Sequence, residues 1–291
     1  MYKKKLLFII NPISGISTKA GIPDLIGKYI DEQRFEPEIY FTNYRGDASR
    51  EAREAALRKT DIVVAVGGDG TINEIASSLI GTETALGIIP LGSGNGLARH
   101  LGIPLNTGKA INFLNQNKVS LMDTAFLNEQ AFFNVAGIGF DAFVGYLFAS
   151  IPGRGFKTYV RATWRALWNF KPFQVKIISD SLLYEGKAFI LSFANSNQFG
   201  NNCYINPDGI IHDGKIEIVL VKPFPARLTP IILWRLFAKK ILASKYVELF
   251  SVDSATIETE EDAPVQLDGD VIGKFRKVAL RVEQENLRVM A

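Results

Sequence analysis

The stretch that decides the fold runs Val63-Val64-Ala65-Val66-Gly67-Gly68-Asp69-Gly70-Thr71-Ile72-Asn73-Glu74. Its apolar first part predicts a strand that is buried on both faces of a parallel sheet. The glycines that follow allow the backbone to approach a polyphosphate closely, and the N–H groups of the turn and of the next helix favour an anion. We therefore predict a nucleotide-phosphate site here, with Asp69 organising a magnesium ion through water.

Strand and helix patterns alternate through about the first 120 residues. Strands are predicted at 6–10, 38–42, 61–66 and 85–89, and helices at 17–32, 47–59, 72–79 and 94–101. Ser17 and Asp47 are expected to cap the first two helices. Apolar strands that alternate with helices predict a parallel sheet covered on both faces, in which ligands bind beyond the carboxyl ends of the strands.

Two further turns, at 11–15 and 90–95, follow predicted strands of the same sheet. Together with 67–71 they place three glycine-bearing turns on one rim. The chain has neither the glycine-lysine pattern of a P-loop nor the spacing of the dinucleotide fingerprint, so a different kind of nucleotide site is required.

The pattern changes after residue 120. Strands are predicted at 119–134, 173–178, 183–194, 215–221, 246–257 and 277–282, and the clearest helices at 156–168 and 231–242. We interpret residues 1–120 as an α/β nucleotide domain and residues 121–291 as a β-rich second domain.

The composition limits the class of protein. The chain has 291 residues, 47% of them apolar, and a net charge of only +3, which argues against a general nucleic-acid-binding protein. Its one cysteine, Cys203, cannot form an internal disulfide, so nothing points to secretion. No apolar run is long enough to cross a bilayer, and we expect a cytoplasmic protein that would reach any lipid substrate from the water side.

Two predicted helices combine basic and aromatic residues. In 156–170, Lys157, Arg161 and Arg165 recur every four residues beside Trp164 and Trp168. The segment 234–241 repeats this mixture. Such stripes suit an anionic bilayer interface, so we expect peripheral membrane association; the alternative is that the aromatics belong to the core and the cations are solvated.

Three ordered motifs carry a family resemblance: Asn11-Pro12-x-Ser14-Gly15, the segment 67–74, and the segment 90–99. They resemble the diacylglycerol kinase catalytic domain and, more widely, bacterial lipid kinases and sphingoid-base kinases. The likeness extends from residue 6 to about 272. It implies that residues 1–120 form a parallel α/β ATP-binding domain of the NAD kinase and diacylglycerol kinase type. It also implies that residues 121–291 form a β-sandwich domain for the lipid substrate, with ATP held between the two domains.

The resemblance also implies which residues contact the nucleotide. They lie on the three glycine-bearing turns and at the end of the second strand: Asn11, Pro12, Ser14, Gly15, Thr42, Gly67, Gly68, Asp69, Gly70, Thr71, Asn73, Glu74 and Ser93. Ser93 stands where the family usually has threonine, and the hydroxyl is kept.

A catalytic base is implied near the C-terminus, where the family carries Asp-Gly-Glu. The matching stretch is Leu267-Asp268-Gly269-Asp270, in which Asp270 replaces the glutamate and is one methylene shorter. Either Asp268 or Asp270 is expected to act as the base, which must reach the substrate hydroxyl at about 2.6–3.2 Å. Alone, the segment would equally suit a plain hairpin turn.

A structural magnesium site is implied on the second domain. The loop 208–215 matches it, with the Asp213 carboxylate and the carbonyls of Ile210 and Lys215 as ligands. Oxygen donors of this kind suit a hard cation. The alternative is two Asp-Gly turns without a metal.

The function expected from these motifs is phosphoryl transfer from ATP to a lipid hydroxyl, with diacylglycerol converted to phosphatidic acid. A sphingoid-base kinase is the first alternative, because Ser93 resembles the serine of that group. A non-catalytic lipid or nucleotide sensor follows, since Asp270 is shortened, and then an NAD kinase, which shares the Gly-Gly-Asp-Gly-Thr turn. The oligomeric state stays open, a homodimer included.

Overall fold

The computed structural model describes residues 3–12, 21–140, 142–144 and 170–291, which fall into two compact units. Unit 1 comprises Met1–Thr124 and Glu285–Ala291, and unit 2 comprises Ala125–Gln284. The chain therefore returns to unit 1 for its last residues. The predicted helix 156–168, the cap Ser17 and the site residues Ser14 and Gly15 lie outside the described residues.

Unit 1 is built on a parallel sheet. Its strands are β1 (Lys4–Ile10), β2 (Phe35–Phe41), β3 (Ile62–Gly67) and β4 (Ala85–Pro90), in the order β2-β1-β3-β4. Every residue of β3 and β4 is buried, as the continuous apolar runs predict. Near the C-terminus Val289 pairs in parallel with Leu86, which adds one more strand beside β4. The predicted parallel α/β sheet is confirmed.

Five helices accompany this sheet in the described part of unit 1: α1 (Ile22–Tyr29), α2 (Asp47–Leu57), α3 (Asp69–Leu79), α4 (Gly96–His100) and α5 (Thr107–Leu114). The helix α5 was not predicted. Asn106 caps it by accepting a hydrogen bond from the Lys109 N–H at 3.1 Å, and Ala110, Ile111 and Leu114 are buried. An asparagine followed by apolar residues at helical spacing is a signal in the sequence from which this helix could have been predicted.

The prediction that Asp47 caps α2 is wrong. Gly46, in the left-handed region with φ 88°, occupies the cap position, and Asp47 is the first helical residue. The fully buried Asp47 carboxylate accepts hydrogen bonds from the Asn43 N–H at 2.8 Å, the Tyr40 hydroxyl and the Arg50 guanidinium. It therefore ties the preceding turn to the helix instead of satisfying the helix's own N–H groups.

Unit 2 is dominated by antiparallel strands. They are β5 (Val119–Leu127), β6 (Gln130–Phe132), β7 (Val135–Gly139), β8 (Phe173–Ile178), β9 (Leu183–Ala188), β10 (Ile190–Ala194), β11 (Ile216–Val221), β12 (Val247–Val252), β13 (Ser254–Leu267) and β14 (Asp270–Met290). β5 begins and β14 ends in unit 1. Within unit 2 the order is β12-β11-β10-β7-β13-β14, and β8 joins β13 to β9. Side chains such as Phe132, Leu191 and Phe193 fill its apolar core.

Several long predicted strands are interrupted in the structure. The predicted strand 119–134 divides into β5 and β6 at a turn in which Asn128 has φ 54°, and 183–194 and 246–257 divide at Phe189 and Asp253. Asparagine tolerates the left-handed region, which explains the first interruption. The apolar pattern alone does not mark single-residue breaks of this kind.

The helix predicted at 231–242 is shorter and begins earlier. Helix α6 (Thr229–Phe237) buries Ile232 and Leu236 against unit 2. It ends before Lys239, whose φ of 58° is incompatible with a continuing right-handed helix. None of the helices in the described part of the chain has the length and apolar character needed to cross a membrane.

The buried Asp47 carboxylate makes stability depend on pH. The Asn43 N–H, ahead of the Arg50 and Tyr40 contacts, lowers the pKa of Asp47 from 3.8 to about 2. Its contribution is therefore present above about pH 4 and is lost as the pH falls through about 2. We expect Asp47→Asn to reduce the fall in unfolding free energy between pH 5 and pH 2.5, measured by urea unfolding.

The matched control is Asp24→Asn, which replaces an exposed carboxylate on α1. This variant should keep the pH dependence of the unmodified chain. An Asp47→Asn variant with the same pH dependence as the unmodified chain would contradict the assignment.

Candidate active site

The second and third glycine-bearing turns touch each other at the ends of β3 and β4. A Cβ atom on Gly92 would lie 2.9 Å from the Gly68 Cα and 2.8 Å from the Asn95 Oδ1. A Cβ on Gly67 would lie 2.6 Å from the Thr71 side chain. Real Cβ atoms do not approach other atoms this closely, so both turns require glycine.

The Asp69 carboxylate connects the same two turns. Its oxygens accept hydrogen bonds from the Asn95 N–H at 3.0 Å and the Gly96 N–H at 3.1 Å. These are the N–H groups that begin α4, so Asp69 caps that helix from a different segment. Asn95 has φ 51° and donates its side-chain N–H to the Gly92 carbonyl at 2.8 Å, which closes the third turn.

The first turn joins this group through Asn11. The Asn11 side chain donates to the Thr71 hydroxyl at 3.2 Å, and its backbone N–H donates to the Val66 carbonyl at 3.2 Å. Pro12 follows it and is exposed. At the end of the neighbouring strand the Thr42 N–H donates to the Ile10 carbonyl at 2.9 Å. The carboxyl ends of β1, β2 and β3 thus each carry residues predicted to contact the nucleotide.

Helix α3 presents an open N-terminus to these turns. Its first backbone bond runs from the Ile72 N–H to the Gly68 carbonyl at 3.1 Å, and the cap residue Gly68 has no side chain with which to satisfy the earlier N–H groups. The Gly70 and Thr71 N–H groups lie in the first turn of the helix and point out of its N-terminal end. The helix dipole favours an anion at this position. Gly70 and Ser93 are exposed and Asn73 is half-buried.

Two buried oxygen atoms in this region have no hydrogen-bond partner among the described residues: Glu74 Oε1 and Asn95 Oδ1. Buried polar atoms are nearly always satisfied by protein, water or ligand. The glycine cradle and the open helix N-terminus, with the unsatisfied Asn95 Oδ1 on the third turn, together fit a polyphosphate nucleotide.

In unit 2 the segment Asp268-Gly269-Asp270 forms the turn between β13 and β14, in which Leu267 pairs with Asp270. The Asp268 carboxylate accepts hydrogen bonds from the Phe133, Asn134 and Val135 N–H groups at 3.0, 2.8 and 3.2 Å. The Asp270 side chain is exposed and has no hydrogen-bond partner among the described residues. The two candidate bases therefore differ: the Asp268 carboxylate is occupied by backbone N–H groups, whereas the Asp270 carboxylate is accessible to a substrate.

A buried polar layer that the sequence reading missed supports this turn. Asn195 donates its side-chain N–H to the Phe133 carbonyl at 3.2 Å, and the Ser196 hydroxyl donates to the Asn134 side-chain oxygen. The backbone N–H groups of Asn195 and Ser196 both donate to the Asn134 carbonyl. The signal was available in the polar run that follows the apolar strand β10.

The candidate metal loop is an exposed turn. The Asp213 carboxylate accepts the Lys215 N–H at 3.0 Å, and the Lys215 ammonium group pairs with Asp253 at 3.5 Å. Burial raises the pKa of Glu217, and the nearby Asp213 charge adds to that rise. Among the described residues no group of three or more His, Cys, Asp or Glu side chains could hold a metal.

Comparisons with known proteins find family matches in both units. Residues 5–127 match the family described as "Diacylglycerol kinase catalytic domain", and residues 134–291 match "YegS C-terminal NAD kinase beta sandwich-like domain". A diacylglycerol kinase of Bacillus subtilis (strain 168) is 31% identical over 75% of this chain and 74% of its own length. The chain belongs to the diacylglycerol kinase family. The predicted family and fold class are confirmed.

Two more relatives extend the similarity to almost the whole chain. A diacylglycerol kinase of Staphylococcus saprophyticus is 27% identical over 97% of this chain and 94% of its own length. The crystal structure of a diacylglycerol kinase from Bacillus anthracis str. Sterne superimposes with a TM-score of 0.75 at 25% identity, covering 99% of this chain and 96% of that one. The prediction of an ATP-dependent lipid kinase is confirmed at the level of the family, ahead of the NAD kinase and sensor alternatives.

The contact between the two glycine turns yields a test of the cradle. In Gly92→Ala the new Cβ would collide with the Gly68 backbone, which cannot move without displacing α3. We expect a loss of about 1–3 kcal/mol in the free energy of unfolding, measured by urea unfolding. The matched control is Gly27→Ala in α1, where nothing lies within 4 Å and alanine should stabilise the helix by up to about 1 kcal/mol. A Gly92→Ala variant as stable as the unmodified chain would show that the turns do not need this close approach.

Proposed function

We propose that this chain transfers the γ-phosphate of ATP to the free hydroxyl of diacylglycerol and so produces phosphatidic acid. The observation that carries the proposal is the open N-terminus of α3 inside a cradle of glycine turns, which suits the triphosphate. The relatives from Bacillus subtilis and Staphylococcus saprophyticus are both named diacylglycerol kinases, which supports this lipid as the acceptor.

The phosphate groups would be held mainly by backbone N–H groups of Gly68, Gly70 and Thr71. Around them, Asn11, Pro12, Thr42, Gly67, Asn73, Glu74 and Ser93 would complete the nucleotide site, and Ser14 and Gly15 retain the role predicted from the motif. The hydrogen bonds of Asn11 to Thr71 and of Asp69 to Asn95 and Gly96 support this grouping. Fixed donors of this kind stabilise the charge of the transferring phosphoryl group without reorganising during the reaction.

Asp270 would be the base that accepts the proton of the lipid hydroxyl. The alternative, Asp268, already accepts three backbone N–H groups, and withdrawing it would leave those donors unsatisfied. The exposed Asp270 carboxylate accepts no hydrogen bond from the described residues, so it can turn to a substrate without leaving a donor unsatisfied. As a shorter acid than glutamate, it requires the lipid hydroxyl to approach the hairpin more closely.

Magnesium is the proposed cofactor, and it would neutralise charge on the phosphates of ATP. The loop with the Asp213 carboxylate and the Ile210 and Lys215 carbonyls offers hard oxygen donors, which suit a structural cation. Asp69 would act through water, since both of its oxygens are already hydrogen-bonded to backbone. Because the lipid acceptor resides in a bilayer, we further propose that the chain works while peripherally associated with a membrane.

Transfer of labelled γ-phosphate to a mixed-micelle panel tests the proposal. With ATP and Mg²⁺ we expect label in diacylglycerol, and none in sphingosine, ceramide or monoacylglycerol. Chelation of Mg²⁺ should abolish transfer, and Asp213→Asn should raise the Mg²⁺ concentration needed for the half-maximal rate. Label confined to long-chain bases would contradict the choice of diacylglycerol, and NADP formed from NAD and ATP would contradict the lipid kinase altogether.

The choice of base yields a second test. We expect Asp270→Asn to lower kcat by about 10²–10⁴-fold with little change in stability, because this exposed side chain acts only in proton transfer. Asp268→Asn should instead lower the free energy of unfolding by about 1–3 kcal/mol, because an amide offers one acceptor oxygen where the carboxylate offers two.

The control is Asp262→Asn, an exposed position on β13 of the same hairpin, which should change neither quantity. Asp270→Glu should retain or increase activity. Abolition of kcat in a folded Asp268→Asn variant, with Asp270→Asn still active, would reverse the assignment.

A further inference from the structure

Helix α6 leaves an unusual amount of apolar surface in water. Ile231, Leu233, Trp234 and Phe237 are each between 37 and 57% exposed, although the helix has only nine residues. Ile231, Trp234 and Phe237 recur every three residues along one side, while Ile232 and Leu236 anchor the opposite side in unit 2. Four exposed large apolar side chains on one short helix indicate a surface that binds a partner or a membrane.

The segment around this helix has a concentrated positive charge. Residues 218–247 contain six of the 33 basic residues of the chain and none of its 30 acidic ones, so the rest of the chain is net acidic, with 27 basic residues against 30. Lys222 pairs with Glu248. The other five, Arg227, Arg235, Lys239, Lys240 and Lys245, form no ion pair with a carboxylate in the part of the chain that the structure describes.

Two of these cations, Lys239 and Lys240, follow directly after the C-terminal end of α6. The Lys240 ammonium group lies 5.7 Å from the Trp234 ring centroid, and Lys239 lies 4.5 Å from the Tyr204 ring centroid. One guanidinium nitrogen of Arg235 is buried and has no hydrogen-bond partner among the described residues. Arg235, Lys239 and Lys240 form a basic rim beside the exposed Trp, Phe, Ile and Leu side chains. This combination matches a bilayer, whose anionic headgroups lie over an apolar interior.

We propose that the exposed side of α6, with its basic rim, docks this chain on an anionic lipid bilayer. This proposal rests on the proposed function, because a kinase whose substrate is a membrane lipid must reach that lipid from the water. The helix is about 13 Å long and the hydrocarbon core of a bilayer is about 30 Å thick, so α6 lies in the interface with its axis parallel to the membrane plane. Its apolar side chains enter the acyl region and the cations remain among the headgroups.

The charge distribution also decides between a bilayer and a second copy of the chain. A symmetric dimer through this side of α6 would bring the basic segments of both copies into one interface, with no carboxylate of residues 218–247 to pair with them. Such like-charge contacts are costly in an interface. Anionic headgroups instead supply the opposite charge, and the bilayer interior accommodates the apolar patch in the same step.

Vesicle flotation in the absence of nucleotide tests the docking. We expect binding to vesicles of phosphatidylcholine mixed with phosphatidylglycerol, weaker binding to phosphatidylcholine alone, and weakening of the first by high salt. The double variant Trp234→Ser and Phe237→Ser should lose about tenfold or more in apparent affinity. Lys239→Ala and Lys240→Ala should each lose about fivefold.

Matched controls come from the exposed strand β9 of the same unit. Leu183→Ser removes an exposed apolar side chain and Lys187→Ala an exposed cation, and neither should change vesicle binding. Equal binding by the α6 variants and these controls would overturn the proposal. So would a dimer, seen by light scattering in the unmodified chain, that the double variant converts to monomer without change in vesicle binding.

The two proposals can fail separately. Loss of vesicle binding in the α6 variants, with transfer to short-chain diacylglycerol below its critical micelle concentration retained, supports docking through α6. Tight, α6-dependent vesicle binding by a chain that phosphorylates no lipid supports docking and contradicts the proposed diacylglycerol kinase activity.

Discussion

The candidate nucleotide site depends on one interaction: the Asp69 carboxylate holds the backbone N–H groups of Asn95 and Gly96. This contact fixes the third glycine turn against the second, and Gly68 and Gly92 allow the two backbones to meet. Because Asp69 satisfies the start of α4 from outside that helix, the N-terminus of α3 remains the open one. A single carboxylate thereby closes one helix end and leaves its neighbour available for phosphate.

The same device appears in unit 2. Asp268 accepts three backbone N–H groups of the 133–135 segment, as Asp69 accepts two in unit 1. In both cases the sequence predicts a functional aspartate within a glycine-containing turn, and the structure shows its carboxylate accepting backbone N–H groups. The consequence differs between the two turns. In unit 1 the ordered backbone is itself the proposed phosphate ligand, whereas in unit 2 the ordered hairpin positions the next acid along the chain, Asp270.

The sequence predicted the features that depend on local patterns. The buried strands β3 and β4 followed from uninterrupted apolar runs, and the glycine turns followed from their place at the strand ends. Asp47 was misassigned because capping preferences describe which residue suits a helix start and do not describe which donors tertiary contacts bring near. The roles of Asp268 and Asp270 were not separable either, since the donors on Asp268 come from residues more than 130 positions away. The return of residues 285–291 to unit 1 depends on similar long-range pairing, which periodicity does not record.

The hairpin that carries Asp270 is held by several hydrogen bonds, and this restraint determines the effect of having aspartate where the family usually has glutamate. A catalytic acid can lose one methylene and keep its reach only if its backbone moves toward the substrate or the substrate moves toward it. Three hydrogen bonds to Asp268, and one from the Gly269 N–H to the Gln266 side chain at 2.8 Å, oppose movement of the hairpin. In the proposed mechanism the remaining freedom belongs to the lipid, whose hydroxyl would have to come closer to the hairpin than a glutamate would require. With Asp270 as the proposed base, the length of the acid at position 270 would therefore set how closely the acceptor hydroxyl must approach.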